Sequence, residues 1–132
     1  MTGRLLSAAA AAVLLLAACG DDKAPPSGAD DVFEAWRNAG LTVGPHDALD
    51  NSDTLGGGSC QRGEVDGIET TVCGYESEDA ARAAQPAGLD LVGDATGASL
   101  PRGKVLLVVA DRGGSDPSGK KIHQLTKAFL GK

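Results

Sequence analysis

Aromatic residues are scarce in this chain of 132 residues, which has a formal net charge of −6. They number four, too few for a platform that stacks sugars, and none is interleaved with the lysines. The acidic balance also disfavours binding to nucleic acid, whose phosphates attract basic proteins. In contrast, 42% hydrophobic and 23% charged residues are typical of a folded domain, and the length allows one such domain.

Histidine is rarer still, with two residues in the whole chain. Neither His46 nor His123 stands at a recognised motif spacing from a serine or cysteine, so the sequence offers no nucleophilic triad. His123 is expected on the surface of the last helix. His46, Asp47, Asp50 and Asp53 could hold a divalent cation loosely, but the alternating acidic spacing of a calcium loop is missing. We therefore favour solvated loop charges and predict neither a metal nor a cofactor.

The chain also lacks a hydrophobic run long enough to span a membrane. Residues 5–18 are uncharged, but fourteen residues fall short of the roughly 20 that cross a bilayer. Preceded by Arg4, this run instead has the layout of an export signal, which is removed from the mature protein. We predict a signal peptide over residues 1–18, a flexible tether over 19–28 and a single folded domain over 29–132.

The residues at the end of this signal resemble the lipobox of bacterial lipoproteins. Leu16, Ala17 and Ala18 precede Cys19, and Gly20 follows it. The resemblance, which is to small uncharacterised lipoproteins of GC-rich bacteria, implies that the Cys19 thiol carries lipid such as palmitate. It also implies a location in the cell envelope, anchored in a lipid bilayer outside the cytoplasm. An ordinary secreted protein with a cysteine after its cleavage site is the alternative.

Beyond Cys19 the chain has two cysteines, which we predict to form a disulfide. Asp66 and Gly67 indicate a two-residue hairpin turn, because type I′ geometry requires positive φ. This turn places Cys60 opposite Cys73 at a non-hydrogen-bonded pair, where the Cα atoms come within about 4.5 Å and a disulfide can form. An oxidising envelope favours the bond. Free buried thiols or a two-ligand metal site are the alternatives.

Alternation along this hairpin predicts which side chains face the core. The expected core face comprises Val65, Ile68, Thr70 and Val72. The disulfide is expected on the other, wetter face, together with Arg62, Glu64 and Glu69.

Three helices are predicted outside the hairpin from their capping residues. The expected N-caps are Asp30 or Asp31 for the first helix, Ser77 for the second and Asp116 for the third. Val32, Phe33 and Trp36 share a face of the first helix, which stops at Gly40. Pro86 is expected to end the second helix. In the third, Ile122, Leu125 and Phe129 recur at helical spacing.

Two further strands complete the predicted α+β domain. Residues 89–93 alternate as in a half-buried strand, and the apolar run 105–110 indicates a central strand covered on both faces. Residues 44–58 have too few apolar side chains for an element and are predicted to form an exposed loop. The result is a small two-layer domain with a mainly antiparallel sheet of about four strands and two or three helices, in the order α-β-β-α-β-β-α.

One segment nearly matches a phosphate-binding motif. Residues 114–120 read G-x-x-x-x-G-K after the apolar strand, as in a P-loop. However, Lys121 stands where a magnesium-binding serine or threonine is needed. Asp116 also places a negative charge in the phosphate cradle, and Pro117 removes an N–H from it. We therefore predict a polar loop that caps the last helix.

Charge is divided unevenly along the mature chain. Residues 19–98 contain four basic and 16 acidic residues, whereas residues 99–132 contain seven basic and two acidic residues. Lys120, Lys121 and Lys127 could form a basic face on the last helix and bind an envelope protein or anionic lipid. The alternative is that these lysines only balance the acidic part of their own domain.

These features predict a membrane-anchored envelope lipoprotein that acts as a non-enzymatic interaction or binding module. An envelope hydrolase with an active site of unrecognised pattern is the alternative. A deep pocket with convergent polar groups favours the hydrolase, whereas a basic helix open to solvent favours the binding module.

Overall fold

The computed structural model describes residues 24–50 and 55–132, which fold into an α+β domain. Its elements are α1 (Ala29–Asn38), β1 (Val43–Ala48), β2 (Ser59–Val65), β3 (Ile68–Gly74), α2 (Glu78–Ala83), α3 (Gln85–Val92), β4 (Thr96–Arg102), β5 (Val105–Asp111) and α4 (Lys120–Phe129). The strands form one antiparallel sheet in the order β1-β2-β3-β5-β4. The predicted fold class is confirmed, and the predicted order holds with one additional strand, β1, and one additional helix, α3.

Helices cover both faces of this sheet, which adds a third layer to the two expected. α1 and α4 pack on one face, against side chains such as Val72 and Leu107. α2 and α3 pack on the other, against Leu106, Val108 and the disulfide. Every residue of β5 is buried, because alternate side chains enter one core or the other. The prediction of a covered central strand is therefore confirmed.

The β2–β3 hairpin has the predicted turn and register. Asp66 and Gly67 both have positive φ, at 50° and 84°, and Cys60 pairs with Cys73. The disulfide is formed, with Cα atoms 4.0 Å apart. Its expected position on a wetter face is wrong, since Cys60 is 3% and Cys73 0% exposed. The reason is that α3 covers this face of the sheet.

The region predicted as a loop over residues 44–58 contains an edge strand. β1 pairs with β2, with an irregular register between Val43 and His46. Polar composition did not reveal the strand because an edge strand with one open side needs few apolar residues. Pro45 fits this position, since an edge strand can dispense with one N–H donor.

The second predicted helix ends at Ala83, two residues before the predicted end at Gln85, and the strand predicted over residues 89–93 lies instead in helix α3 and the glycine that ends it. Pro86 lies in the first turn of α3, where its missing N–H leaves no hydrogen bond unmade. The strand follows as β4. Gly88 allows α3 to approach β4, because a Cβ at this position would lie 2.1 Å from the Ser99 Oγ. Ser99 in turn donates a hydrogen bond of 3.0 Å to the Gln85 carbonyl.

Helix α1 buries Val32, Phe33 and Trp36 as predicted, but neither aspartate is its N-cap. The cap position is Gly28, and Asp31 lies in the first turn. There it accepts hydrogen bonds of 2.9 Å from both the N–H and the hydroxyl of Ser27. These bonds, with the backbone N–H first, lower the pKa of Asp31. The carboxylate thus fixes the direction in which the chain enters α1.

Candidate functional site

The candidate site lies between α1 and α4, which one buried hydrogen bond holds together. The Trp36 side chain is fully buried, and its Nε1 donates to the Leu125 carbonyl at 3.0 Å. The two helices run in opposite directions, since the chain after α1 and the start of α4 both meet Asp66. Thr42 N–H lies 3.3 Å from Asp66 Oδ1, and Lys121 Nζ lies 3.3 Å from Asp66 Oδ2.

An open groove of about 600 Å³ runs along this helix pair. Apolar side chains in its lining include Val32, Ala35, Ala128 and Phe129. Its charged side chains divide between the walls: α1 contributes Asp31 and Glu34, whereas Lys127, Lys132 and Arg102 lie on the side of α4. The groove therefore has one acidic and one basic wall over an apolar base.

The segment that precedes α1 packs against the domain at one end of the groove. Ala24, Pro25 and Pro26 line the groove, and Pro26 is buried. A Cβ on Gly103, in the turn between β4 and β5, would lie 2.7 Å from the Pro25 Cβ, which shows how closely the segment packs there. The last residues of the predicted tether thus lie against the domain. We use the name tether end for the end of the domain that is formed by residues 24–26, the turn at Gly103 and the C-terminal turn of α4.

Arg102 ties β4 to the tether end of α4. Its Nη1 donates to the Phe129 carbonyl at 2.9 Å, one of the last carbonyls of the helix. A cation is favourable there because the C-terminal end of a helix carries a partial negative charge. Arg102 therefore helps to set the position of the basic wall.

The three lysines of the predicted interaction face are exposed but do not form one group. Lys121 pairs with Asp66 at the hairpin turn. Lys120 and Lys127 are seven residues apart, on the side of α4 opposite its buried Leu125 and Phe129. Within the part of the chain that the structure describes, neither has a carboxylate oxygen within 4.0 Å. Two of the three lysines are thus available to a partner.

His46 packs against the sheet instead of contributing to a cation site. Its Nδ1 donates to the Gly44 carbonyl at 2.9 Å, its Nε2 lies 2.6 Å from Thr70 Oγ1, and its ring centroid lies 4.5 Å from that of Phe33. Both ring nitrogens are therefore engaged. The described residues contain no group of three His, Cys, Asp or Glu side chains suited to a metal ion, and Asp53 lies outside them.

The segment that resembles a P-loop is filled by its own carboxylates. Asp111 accepts hydrogen bonds from the N–H groups of Ser115 at 2.9 Å and Asp116 at 2.8 Å. The buried Asp116 accepts from the N–H groups of Lys121 at 3.1 Å and Ile122 at 3.0 Å. These N–H groups at the start of α4 are those that a phosphate would need. The N-cap predicted at Asp116 is wrong, since α4 begins at Lys120 with Gly119 as its N-cap. Asp116 instead caps the start of the helix from across the loop.

The remaining sequence predictions concern lipid attachment at Cys19, a membrane-spanning helix and the position of His123. Cys19 lies outside the described residues. Among the helices that the structure describes, none has the length and apolar character required to cross a membrane. His123 is exposed on α4, as expected.

Sequence reasoning missed the groove and the basic residues around its tether end. Lys104 and Lys132 lie on separate segments, and no local motif links them with Lys127. Helix pairing brings the groove walls together from residues about 90 positions apart. Comparisons of the chain with protein-family models, curated proteins and solved structures find no match.

Proposed function

We propose that this protein is a lipoprotein of the bacterial cell envelope, anchored by lipid on Cys19. We further propose that its folded domain is a non-enzymatic binding module for a partner that carries negative charge. The surface concerned is the groove between α1 and α4 with the exposed side of α4.

Two features support export and anchoring. Residues 1–20 combine a basic start, an uncharged run and a lipobox-like end. The Cys60–Cys73 disulfide is formed and buried within the second core. Such bonds persist in oxidising compartments such as the envelope and are rare in the cytosol.

The observation that carries the binding role is the state of the lysines on α4. Lys121 is balanced by Asp66, which is what internal charge compensation requires. Lys120 and Lys127 are exposed and, among the described residues, have no ion-pair partner. Internal compensation therefore accounts for one lysine of the three. The other two create a positive potential that attracts an anionic partner.

Photo-crosslinking in intact envelopes tests this proposal. A photoreactive amino acid replaces Gln124, which lies between Lys120 and Lys127 and lines the groove. We expect Lys127→Glu and Lys120→Glu each to reduce the yield of crosslinked partner several-fold, with the melting temperature retained. Lys121→Glu is the matched control, because it changes the charge equally but removes an internal pair.

The proposal fails if all three variants give the same yield. It also fails if Lys120→Glu and Lys127→Glu lower the melting temperature while the crosslink persists, since these lysines then serve only the fold.

A further inference from the structure

We propose that the tether end of the domain rests on the bilayer, with Lys104, Lys127 and Lys132 against anionic lipid headgroups. This inference rests on the proposed anchoring at Cys19. It adds to that function a lipid contact at the tether end and the orientation of the domain on the membrane, and it leaves Lys120, at the Asp66 end of α4, to the partner proposed above.

The first argument is the length of chain between the lipid and the domain. Five residue steps separate Cys19 from Ala24, which lines the groove. A fully extended chain covers at most about 3.6 Å per residue, or about 18 Å over this segment. Pro25 and Pro26 then pack against the turn at Gly103. The tether end therefore stays within about 18 Å of the anchored cysteine.

Because the domain is wider than this short tether is long, the tether restricts how the domain can be oriented on the bilayer. A domain of about 100 residues has a radius of gyration of about 13 Å, which corresponds to a diameter of roughly 34 Å. The turn at Asp66 marks the end of the sheet opposite the turn at Gly103. If the domain were inverted, the tether would have to span this whole diameter. An inserted anchor thus keeps the tether end towards the bilayer.

The second argument is the charge at this end. Lys104 lies in the turn beside Gly103, and Lys127 and Lys132 line the groove near it. All three are exposed, and no carboxylate oxygen of the described residues lies within 4.0 Å of their ammonium groups. Anionic headgroups attract lysines at a membrane surface, and the attraction falls off over a Debye length of about 8 Å.

Carboxylates on the opposite wall of the groove determine how the domain tilts relative to the bilayer surface. Asp31 and Glu34 lie on α1, and Asp31 is already engaged by Ser27. Headgroups are therefore attracted to the side of α4 and the Gly103 turn and repelled by the wall of α1. This arrangement leaves the α1 side of the groove tilted away from the bilayer and accessible from solution.

Lysine footprinting of the mature, lipidated protein tests the orientation. The protein is reconstituted into vesicles of phosphatidylcholine, either alone or mixed with the anionic lipid phosphatidylglycerol. A water-soluble acetylating reagent then labels exposed lysines, which are quantified by mass spectrometry. In the anionic vesicles we expect acetylation at least about threefold slower at Lys104, Lys127 and Lys132, and unchanged at Lys120. Added salt should remove the protection, because it screens the attraction.

Two charge-matched variants separate this surface from charge in general. Lys104→Glu with Lys127→Glu should abolish the protection of Lys132 in anionic vesicles. Arg37→Glu with Lys120→Glu carries the same change in charge away from the tether end and should leave it intact. Circular dichroism melting checks that both variants fold.

Equal acetylation of Lys132 in the two kinds of vesicle overturns the inference, as does loss of its protection in both variants. If the protein floats with the vesicles in that case, anchoring stands and an acidic protein becomes the partner to test. If the mature protein carries no lipid and does not float, the proposed anchoring fails and the inference fails with it.

Discussion

At the scale of single residues, two aspartates organise the loop that precedes α4. Asp111 ends β5 and binds the N–H groups of Ser115 and Asp116, and Asp116 binds those of Lys121 and Ile122. Each carboxylate satisfies donors that the loop and the helix start would otherwise leave unpaired. These hydrogen bonds connect the end of β5 to the loop and the loop to the start of α4. They thereby fix the position of α4 and of the basic wall of the groove.

The Asp111 carboxylate makes the stability of the domain sensitive to acid. The Asp116 N–H, with further hydrogen bonds from Ser115 and Gly114, lowers the pKa of Asp111 despite an opposing effect of burial. Because the folded-state pKa lies below the unfolded value of about 3.9, the stabilisation is present above that pH. It is lost as the pH falls through the folded-state pKa.

We therefore expect Asp111→Asn to lower the melting temperature at pH 7 and to reduce its further fall between pH 5 and pH 2. Thermal melts across this range check the prediction, with the exposed Asp47→Asn as control. A variant whose melting temperature follows the wild-type curve at every pH contradicts it.

At the scale of elements, the β2–β3 hairpin and its disulfide are the most strongly determined unit. The Asp66–Gly67 turn sets the register, and the register brings Cys60 to Cys73. Both cysteines are buried beneath α3, so the bond crosslinks two strands and also fills part of the second core.

Removal of this bond should destabilise the domain. The cysteines are 13 positions apart, and closing a loop of this size in the unfolded chain stabilises the fold by about 3 kcal/mol in the chain-entropy model. We expect the double variant Cys60→Ala, Cys73→Ala to lose about this much unfolding free energy in urea titrations, plus a contribution from lost packing. Native exported protein in which a thiol reagent labels either cysteine stoichiometrically would contradict the pairing.

At the scale of the whole molecule, an acidic body is joined to a basic C-terminal part and to a short tether that leads to Cys19, the proposed site of lipid attachment. The net charge is −12 over residues 19–98 and +5 over residues 99–132. Folding places Lys127 and Lys132 of the basic part beside Pro25 and Pro26, where the chain leaves towards Cys19. The proposed anchor and the basic surface thus share one end of the domain.

Anchoring itself is tested by Cys19→Ser. Because lipid attachment requires the thiol, we expect the variant to accumulate as a precursor that retains residues 1–18. Mass spectrometry of the wild-type mature protein should in turn find Cys19 at the N-terminus with a lipid mass on it. A wild-type mature protein with an unmodified N-terminus would contradict the prediction.

Interactions close in sequence were the predictable part of the fold. The hairpin, the disulfide and the buried face of α1 all follow from turn chemistry or from spacing within a few residues. The role of Pro86 was not predictable in this way, because a proline can end one helix or begin the next. β1 escaped prediction because its stability comes from pairing with β2 and not from its own composition.

The candidate site was predictable only in its parts. The sequence predicted a solvent-facing basic face of Lys120, Lys121 and Lys127 on α4, and the structure shows all three exposed. The sequence did not indicate that Lys121 binds Asp66, a residue 55 positions away. Ion pairs between distant segments depend on how strands and helices are arranged in space.

The amino-acid sequence by itself determined the hairpin register and the disulfide, because each depends on backbone geometry over a short stretch. Only the tertiary structure decided which faces are dry, since burial of the Cys60–Cys73 bridge requires α3 to cover the sheet. It also decided where the groove lies, because the Trp36 hydrogen bond to Leu125 joins two helices whose residues are 89 positions apart in the sequence. Packing brings together surfaces that no local pattern encodes.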